Sequence, residues 1–229
     1  ASVIDEHFRE LTELVRGLAI LGELTPRSID AISSFGERIS SQVVALALKA
    51  KHVDSRTVIV TDERHTMAAP NYAETNERLK ATVWGEITVM GGFIGATMTG
   101  VTSTLGRGGS DFTASIVGAK EIQIWTDVDG MLTCDPTVLP GGRRVKSLSF
   151  AEAAELAYFG AKVLHPSTVV PAIEKNIPVL ILNSRRPQVD GTRITADGPV
   201  TTSVAKSIAC KKNIALVNIQ STRMLMAHG

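Results

Sequence analysis

Three features of this 229-residue sequence predict an α/β sandwich with a mainly parallel sheet. Apolar, β-rich runs such as Thr57-Val58-Ile59-Val60, Glu121-Ile122-Gln123-Ile124-Trp125 and Ile177-Pro178-Val179-Leu180-Ile181-Leu182 alternate with segments of helical periodicity. Two strand-like runs end in turn residues, at Gly91-Gly92 and at Asp129-Gly130, and open α/β sheets bind ligands at such strand ends. The third feature is Leu105-Gly106-Arg107-Gly108-Gly109-Ser110-Asp111-Phe112, which leads into a helix. Its glycines allow close backbone approach, the helix start favours an anion, and Arg107 offers a two-pronged grip on a carboxylate or phosphate. The same residues also fit a glycine-rich turn capped by Ser110 or Asp111.

Composition sets the outer bounds. With 24 basic and 23 acidic residues the net charge is +1, which calls for neither nucleic acid nor an anionic membrane as partner. No run of about 18 apolar residues is present, so no membrane span is expected. The first residues lack a charged segment followed by an apolar core, so no signal peptide is expected. Cys134 and Cys210 form no ligand pattern and read as free thiols of a reducing compartment, with the cytoplasm as the expected location.

In chain order, Phe8, Leu11, Leu14, Val15, Leu18 and Leu21 predict an amphipathic helix over 5–22. Pro26 opens a second, short helix through Ile29 and Ile32, and 39–50 reads as a third. Glu37 then lies at the start of that third helix, where the macrodipole favours a carboxylate and small neighbours leave room for a ligand. A buried strand is expected at 57–60, a helix at 76–83, and a strand at 86–90 that runs into Gly91-Gly92-Phe93-Ile94-Gly95. A short helix over 111–117 follows the arginine loop, and the next strand meets a tight turn at Asp129-Gly130. Residues 131–133 return as a short strand before Asp135-Pro136.

Ser149 and Glu152 form a capping box for an Ala/Leu-rich helix, and Gly160 is placed to end it. Pro166 opens a helix to about Lys175. A buried strand at 177–182 leads into a hairpin around Gly191. From Val204 onward the text changes, and strand-like runs at 207–209 and 214–219 look like the start of another unit.

Taken together and in order, five motifs resemble the aspartate kinase branch of the amino-acid kinase family. They are Ser34-Phe35-Gly36-Glu37, Gly92-Phe93-Ile94-Gly95, the segment 105–111, Trp125-Thr126-Asp127-Val128-Asp129-Gly130 with 133–136, and Phe159-Gly160-Ala161-Lys162-Val163-Leu164-His165-Pro166. The Thr-Asp-Val-Asp-Gly segment is shared across the wider family, whereas the Gly-Arg-Gly-Gly-Ser-Asp loop and the Phe-Gly-Ala-Lys block are specific to this branch.

The resemblance implies a three-layer αβα sandwich and transfer of the ATP γ-phosphoryl group to the side-chain carboxylate of L-aspartate, an early step towards lysine, threonine and methionine. It implies that Arg107 clamps an aspartate carboxylate while Gly108, Gly109 and Ser110 supply contacts. Glu37 accepts from the substrate ammonium, and Phe93 and Gly95 line the same pocket. Asp111 orients a lysine or caps its helix. Thr126, Asp127, Lys162 and Val163 match ATP contacts, and two further nucleotide positions, often tyrosine and arginine in the family, fall on Leu132 and Thr137. Mg²⁺ accompanies ATP, held by phosphate oxygens and water, with no protein metal ligand named. His165 reads as a structural histidine.

Residues 1–204 are expected to form the catalytic domain and 205–229 the entry to an ACT-type regulatory domain, in a protein that forms homo-oligomers. The family's opening Lys-Phe-Gly-Gly motif has no counterpart, and the junctions at 82–85 and 118–119 are short, which suggests a remnant of a longer polypeptide. Two other readings stay open: a relative acting on acetylglutamate, glutamate or uridylate, and a ligand-binding fragment without turnover.

Overall fold

The computed structural model describes residues 2–118, 120–135, 138–158, 170–199, 205–210 and 215. Helix α1, Val3–Leu21, starts at a reciprocal cap: the Asp5 N–H donates to the Ser2 hydroxyl at 3.2 Å, and the Ser2 N–H to the Asp5 carboxylate at 2.9 Å. It ends where Gly22 turns left-handed and its N–H meets the Leu18 carbonyl.

Helix α2, Pro26–Leu48, corrects one expectation. Its 23 residues run unbroken through the stretch where two helices were expected, so Glu37 lies in mid-helix and not at a helix start. The sequence holds no proline there, and a single helical glycine, Gly36, costs only about 1 kcal/mol. Burial of Phe35, Ser34 and Ala45, and the Arg38 guanidinium stacked 4.4 Å above the Phe35 ring, outweigh that cost.

The expected strands at 57–60, 86–90, 121–125 and 177–182 recur with shifted edges, and two further strands, at 51–53 and 147–149, were not expected. Strand β1, Lys51–Val53, pairs in parallel with β3, Thr88–Met90. Between them, Ser55–Thr57 forms a single 3-10 turn because Asp54 accepts from the Arg56 N–H, which shortens the expected strand to β2, Val60–Thr61. Helix α3, Tyr72–Ala81, begins four residues earlier than its periodicity suggests, since the Asn71 side chain caps it by accepting from the Glu74 N–H at 3.2 Å. The short 82–85 junction closes through the Gly85 N–H on the Thr88 hydroxyl at 2.9 Å.

Strand β4, Ile94–Thr97, lies parallel to β2 and antiparallel to β5, Thr102–Thr104. Both β4 and β5 were unmarked in the sequence, where glycine and threonine hide them. Helix α4, Gly109–Val117, then leads to β6, Ile122–Thr126. The last four-stranded group runs in the order β6, β8 (Val179–Asn183), β9 (Thr192–Thr195), β7 (Ser147–Ser149). Four of the six strand pairings are parallel, in keeping with the α/β expectation.

Helix α5, Phe150–Tyr158, carries the predicted capping box, with Ser149 N–H to Glu152 at 2.8 Å and Glu152 N–H to Ser149 at 3.1 Å. Helix α6 spans Val170–Glu174, and residues 159–169, including Gly160 and His165, lie outside the described residues. The expected strand at 131–133 is reduced to one bridge between Leu132 and Arg144, and Ile208 makes a single bridge to Cys134. Residues 211–214 and 216–219, which cover most of the other strand-like run, lie outside the described residues.

Two apolar cores result. One gathers Ile122, Ile124, Leu148, Phe150, Val179, Ile181 and Ile194; the other gathers Val53, Val58, Ile59 and Ile116. Helix α4 touches both, through Ala114 on the first and Ile116, Phe112 and Val117 on the second. Both cysteines are free, and among the described residues no helix is long and apolar enough to cross a membrane.

Candidate active site

The arginine loop is built by backbone geometry. Gly108 sits at φ 76° and forms the N-terminal boundary of α4, with no side chain capping the helix. The alternative of a turn capped by Ser110 or Asp111 therefore fails: Ser110 is exposed and Asp111 stands three residues into the helix region. Arg107, at the apex, is exposed and has no hydrogen-bond or ion-pair partner among the described residues. The Gly109 N–H is turned back on the Gly106 carbonyl at 3.0 Å, and the exposed guanidinium beside the helix start is a competent anion receptor.

This loop is docked on the 91–93 turn that links β3 to β4. A methyl group on Gly92 would sit 2.8 Å from the Ser110 Cα, so only glycine permits this contact. Phe93 adopts φ 67°, rare for a bulky residue, and is held there by its N–H on the Thr113 hydroxyl at 3.1 Å and by its carbonyl accepting from Leu105 at 2.9 Å. Gly109 packs directly on Phe93. Gly95 lies inside β4 opposite Ser103, pressed against the Ile59 carbonyl, which accounts for the glycine by strand packing.

Glu37 reaches the same turn from α2. Its backbone packs against Gly91, and the Gly92 N–H is near enough to its carboxylate to favour the charged form. Burial pushes the Glu37 carboxyl above the usual carboxylate range, and the Gly92 N–H partly offsets that. Asp111 is half-buried and burial likewise raises its carboxyl, with no cation against it among the described residues. The 91–93 turn thus brings together Glu37 from α2, through Gly91, and Gly109 and Ser110 from the arginine loop, through Phe93 and Gly92.

Thr126 and Asp127 belong to the other sheet group, at the C-terminal end of β6. There the Thr126 carbonyl accepts from the Ser184 N–H at 2.8 Å and from its hydroxyl at 3.0 Å. Asp127 is exposed. The following Asp129 accepts from the Asn183 amide at 2.7 Å and is also bonded by Arg186, so the loop after β6 is braced to the end of β8. Leu132 uses its backbone in the bridge to Arg144, and its carbonyl accepts from the Ser207 hydroxyl at 2.7 Å. Thr137, Lys162 and Val163 lie outside the described residues.

Sequence reasoning missed the braces. Asn183 and Arg186 gave no signal beyond a polar turn. Asp30 gave no signal either; only the unbroken α2 sets it one heptad before Glu37 and so on the same helix face. Among the described residues no cluster of three or more His, Cys, Asp or Glu side chains could cage a metal.

An exposed guanidinium on a glycine loop and a half-buried acid on a helix thus meet at one turn of an α/β fold. The amino acid kinase family model matches residues 3–183, and the chain belongs to that family. It is 42% identical over 240 residues to chloroplastic aspartokinase 1 of Arabidopsis thaliana, covering 98% of this chain and 42% of that protein. It is 35% identical to the lysine-sensitive aspartokinase 3 of Escherichia coli K12, covering 100% of this chain and 54% of that one. The chain thus spans about half the length of these curated relatives. The structure superposes on E. coli aspartokinase III in complex with aspartate and ADP with a TM-score of 0.77 and 37% identity, over 85% of this chain and 47% of that chain. Clostridium acetobutylicum aspartate kinase gives a TM-score of 0.75 at 30% identity, over 86% and 44%.

Proposed function

We propose that this chain is the catalytic portion of an aspartate kinase, which moves the γ-phosphoryl group of ATP to the side-chain carboxylate of L-aspartate. In that reaction a carboxylate oxygen forms a bond to the γ-phosphorus while the bond to the β–γ bridging oxygen breaks, giving 4-phospho-L-aspartate and ADP. Little covalent chemistry falls to the protein; two anions must be brought into line and their charge offset. The observation that carries the reading is the docking of the Arg107 loop and the Glu37 helix on one turn, Gly91-Gly92-Phe93. One positive and one negative group on a shared platform suit an α-amino acid that carries a second carboxylate.

In this reading Arg107 grips a carboxylate of aspartate, Gly108 and Gly109 line the contact, the Ser110 N–H adds a donor, and Glu37 accepts from the ammonium. Glu37 thereby discriminates against a dicarboxylate without an amino group. The β6 end with Thr126 and Asp127 serves the nucleotide, together with Lys162 and Val163. Mg²⁺ would travel with the triphosphate, held by its oxygens and water. Residues 205–229 would lead into a regulatory domain; Lys206 already anchors that segment to Glu152 at 2.9 Å.

The test is ADP release with L-aspartate, N-acetyl-L-glutamate, L-glutamate and UMP offered in turn, repeated with Arg107→Ala. Only L-aspartate should support turnover. Loss of a two-pronged charged contact worth about 1.5–3 kcal/mol predicts a KM for aspartate about 10- to 100-fold higher, with the KM for ATP nearly unchanged. Equal weakening of both substrates, or turnover with another acceptor, would overturn the assignment.

A further inference from the structure

Asp30 is completely buried, and its carboxylate draws together three segments distant in sequence. The Thr104 hydroxyl donates to Oδ1 at 2.6 Å. The Thr66 N–H donates to both oxygens at 3.0 Å, and His65 Nδ1 lies 2.8 Å from Oδ2. A buried carboxylate is costly unless fully hydrogen-bonded, so a cluster this complete marks a site where a defined geometry is enforced.

Two of the three partners, Thr104 and Thr66, lead toward the arginine loop. Thr104 is the last residue of β5 and is separated from Arg107 only by Leu105 and Gly106, and its carbonyl is also held by the Ala68 N–H at 2.9 Å. Thr66 adopts φ 71°, a conformation that a β-branched residue avoids. The Asp30 oxygens take its N–H in that strained conformation. Its carbonyl then faces Gly106, where an added methyl group would lie only 3.0 Å away. His65 closes the cluster toward solvent, with a side chain 15% exposed. Asp30 itself stands seven residues before Glu37 on α2, and so on the same helix face.

We infer that Asp30 is a positioning residue that fixes the Arg107 loop, through Thr104 and Thr66, at a set place relative to Glu37 on the same helix. The inference rests on the reading of Arg107 and Glu37 as the groups that recognise aspartate. It makes the separation of the two recognition charges a property of one helix and one buried carboxylate. Asp30 touches no substrate in this scheme.

The gentlest probe is Thr104→Val, which keeps the shape of the side chain and removes only the hydroxyl, with Thr104→Ser restoring it. In the full polypeptide, Thr104→Val should raise the KM for L-aspartate about tenfold, below the hundredfold that a ~1 Å misplacement can cost. The KM for ATP should stay within about twofold of wild type. Thr104→Ser should return aspartate binding to near its original value, and Asp30→Asn should resemble Thr104→Val. Hydrogen–deuterium exchange at the amides of 105–109 should quicken in Thr104→Val and recover in Thr104→Ser. Equal loss of both substrates, or unchanged aspartate KM with faster loop exchange, would overturn the inference by reducing Asp30 to general stability. If the wild-type protein does not phosphorylate L-aspartate, the functional reading falls first. Loop exchange then still decides whether Asp30 holds the loop, and unchanged exchange would end the inference.

Discussion

Asp111 occupies a costly position. Burial raises its carboxyl above its ordinary range, and no partner among the described residues offsets that. A carboxyl whose folded pKa is raised contributes favourably only below its unfolded value, about 4, and that contribution is lost as pH rises through the folded pKa. At neutral pH the ionised group therefore opposes folding. Asp111→Asn should raise the melting temperature at pH 7–8, by about 2–4 °C for each kcal/mol relieved, while phosphoryl transfer falls. The gain should vanish in thermal scans below about pH 4, where the wild-type carboxyl is already protonated. A variant less stable than wild type at pH 7 would show that a charge partner had been removed instead. Arg107 was legible as a charge set among glycines before a helix, and Glu37 as a substrate contact only through the resemblance to the aspartate kinase branch. Asp30 was not, since its partners His65 and Thr104 lie 35 and 74 residues away and only the fold brings them together.

Among the elements, α2 shows where local reading gives way to packing. Gly36 and the small residues around it suggested an interruption, but the helix runs through because Phe35 and Ala45 are buried on one face. Gly36 is exposed, and a methyl group added there would meet nothing within 4 Å. Gly36→Ala should therefore stabilise the fold by about 0.5–1 kcal/mol, read as a rise of about 1–4 °C in thermal denaturation. A fall would mean that the helix needs glycine for a reason its surroundings do not reveal. The longer apolar stripe of α1 and the Ser149–Glu152 box of α5 made these the most readable helices, although the Ser2 cap starts α1 before the expected Asp5. Strands β4 and β5 were hidden: their register depends on each other, and glycine at 95 serves close packing on Ile59. Periodicity over three or four residues cannot register such pairings.

Across the whole molecule, the proposed amino-acid and nucleotide groups fall on separate strand groups that share helix α4. The amino-acid side is set by α2, the 91–93 turn and the arginine loop. The nucleotide side is set where β6 and β8 end together, with Thr126 opposite Asn183. Asp129 holds that end by accepting from the nearly buried Asn183 amide at 2.7 Å and by bonding Arg186. Asp129→Ala would leave the Asn183 amide unpaired, a loss of about 1–3 kcal/mol, and free the loop that carries Asp127. The expected outcome is weaker ATP binding with aspartate binding largely kept, the mirror image of Arg107→Ala. The two sites share no hydrogen-bond partner among the described residues, so their effects on binding should combine independently. Calorimetric titration of each ligand alone into the two single variants and the double variant checks this. The double variant should show for each ligand the loss of the relevant single variant, within about 0.5 kcal/mol. A larger deviation would mean that α4, which packs Ala114 on one core and Ile116 on the other, transmits strain between the two halves.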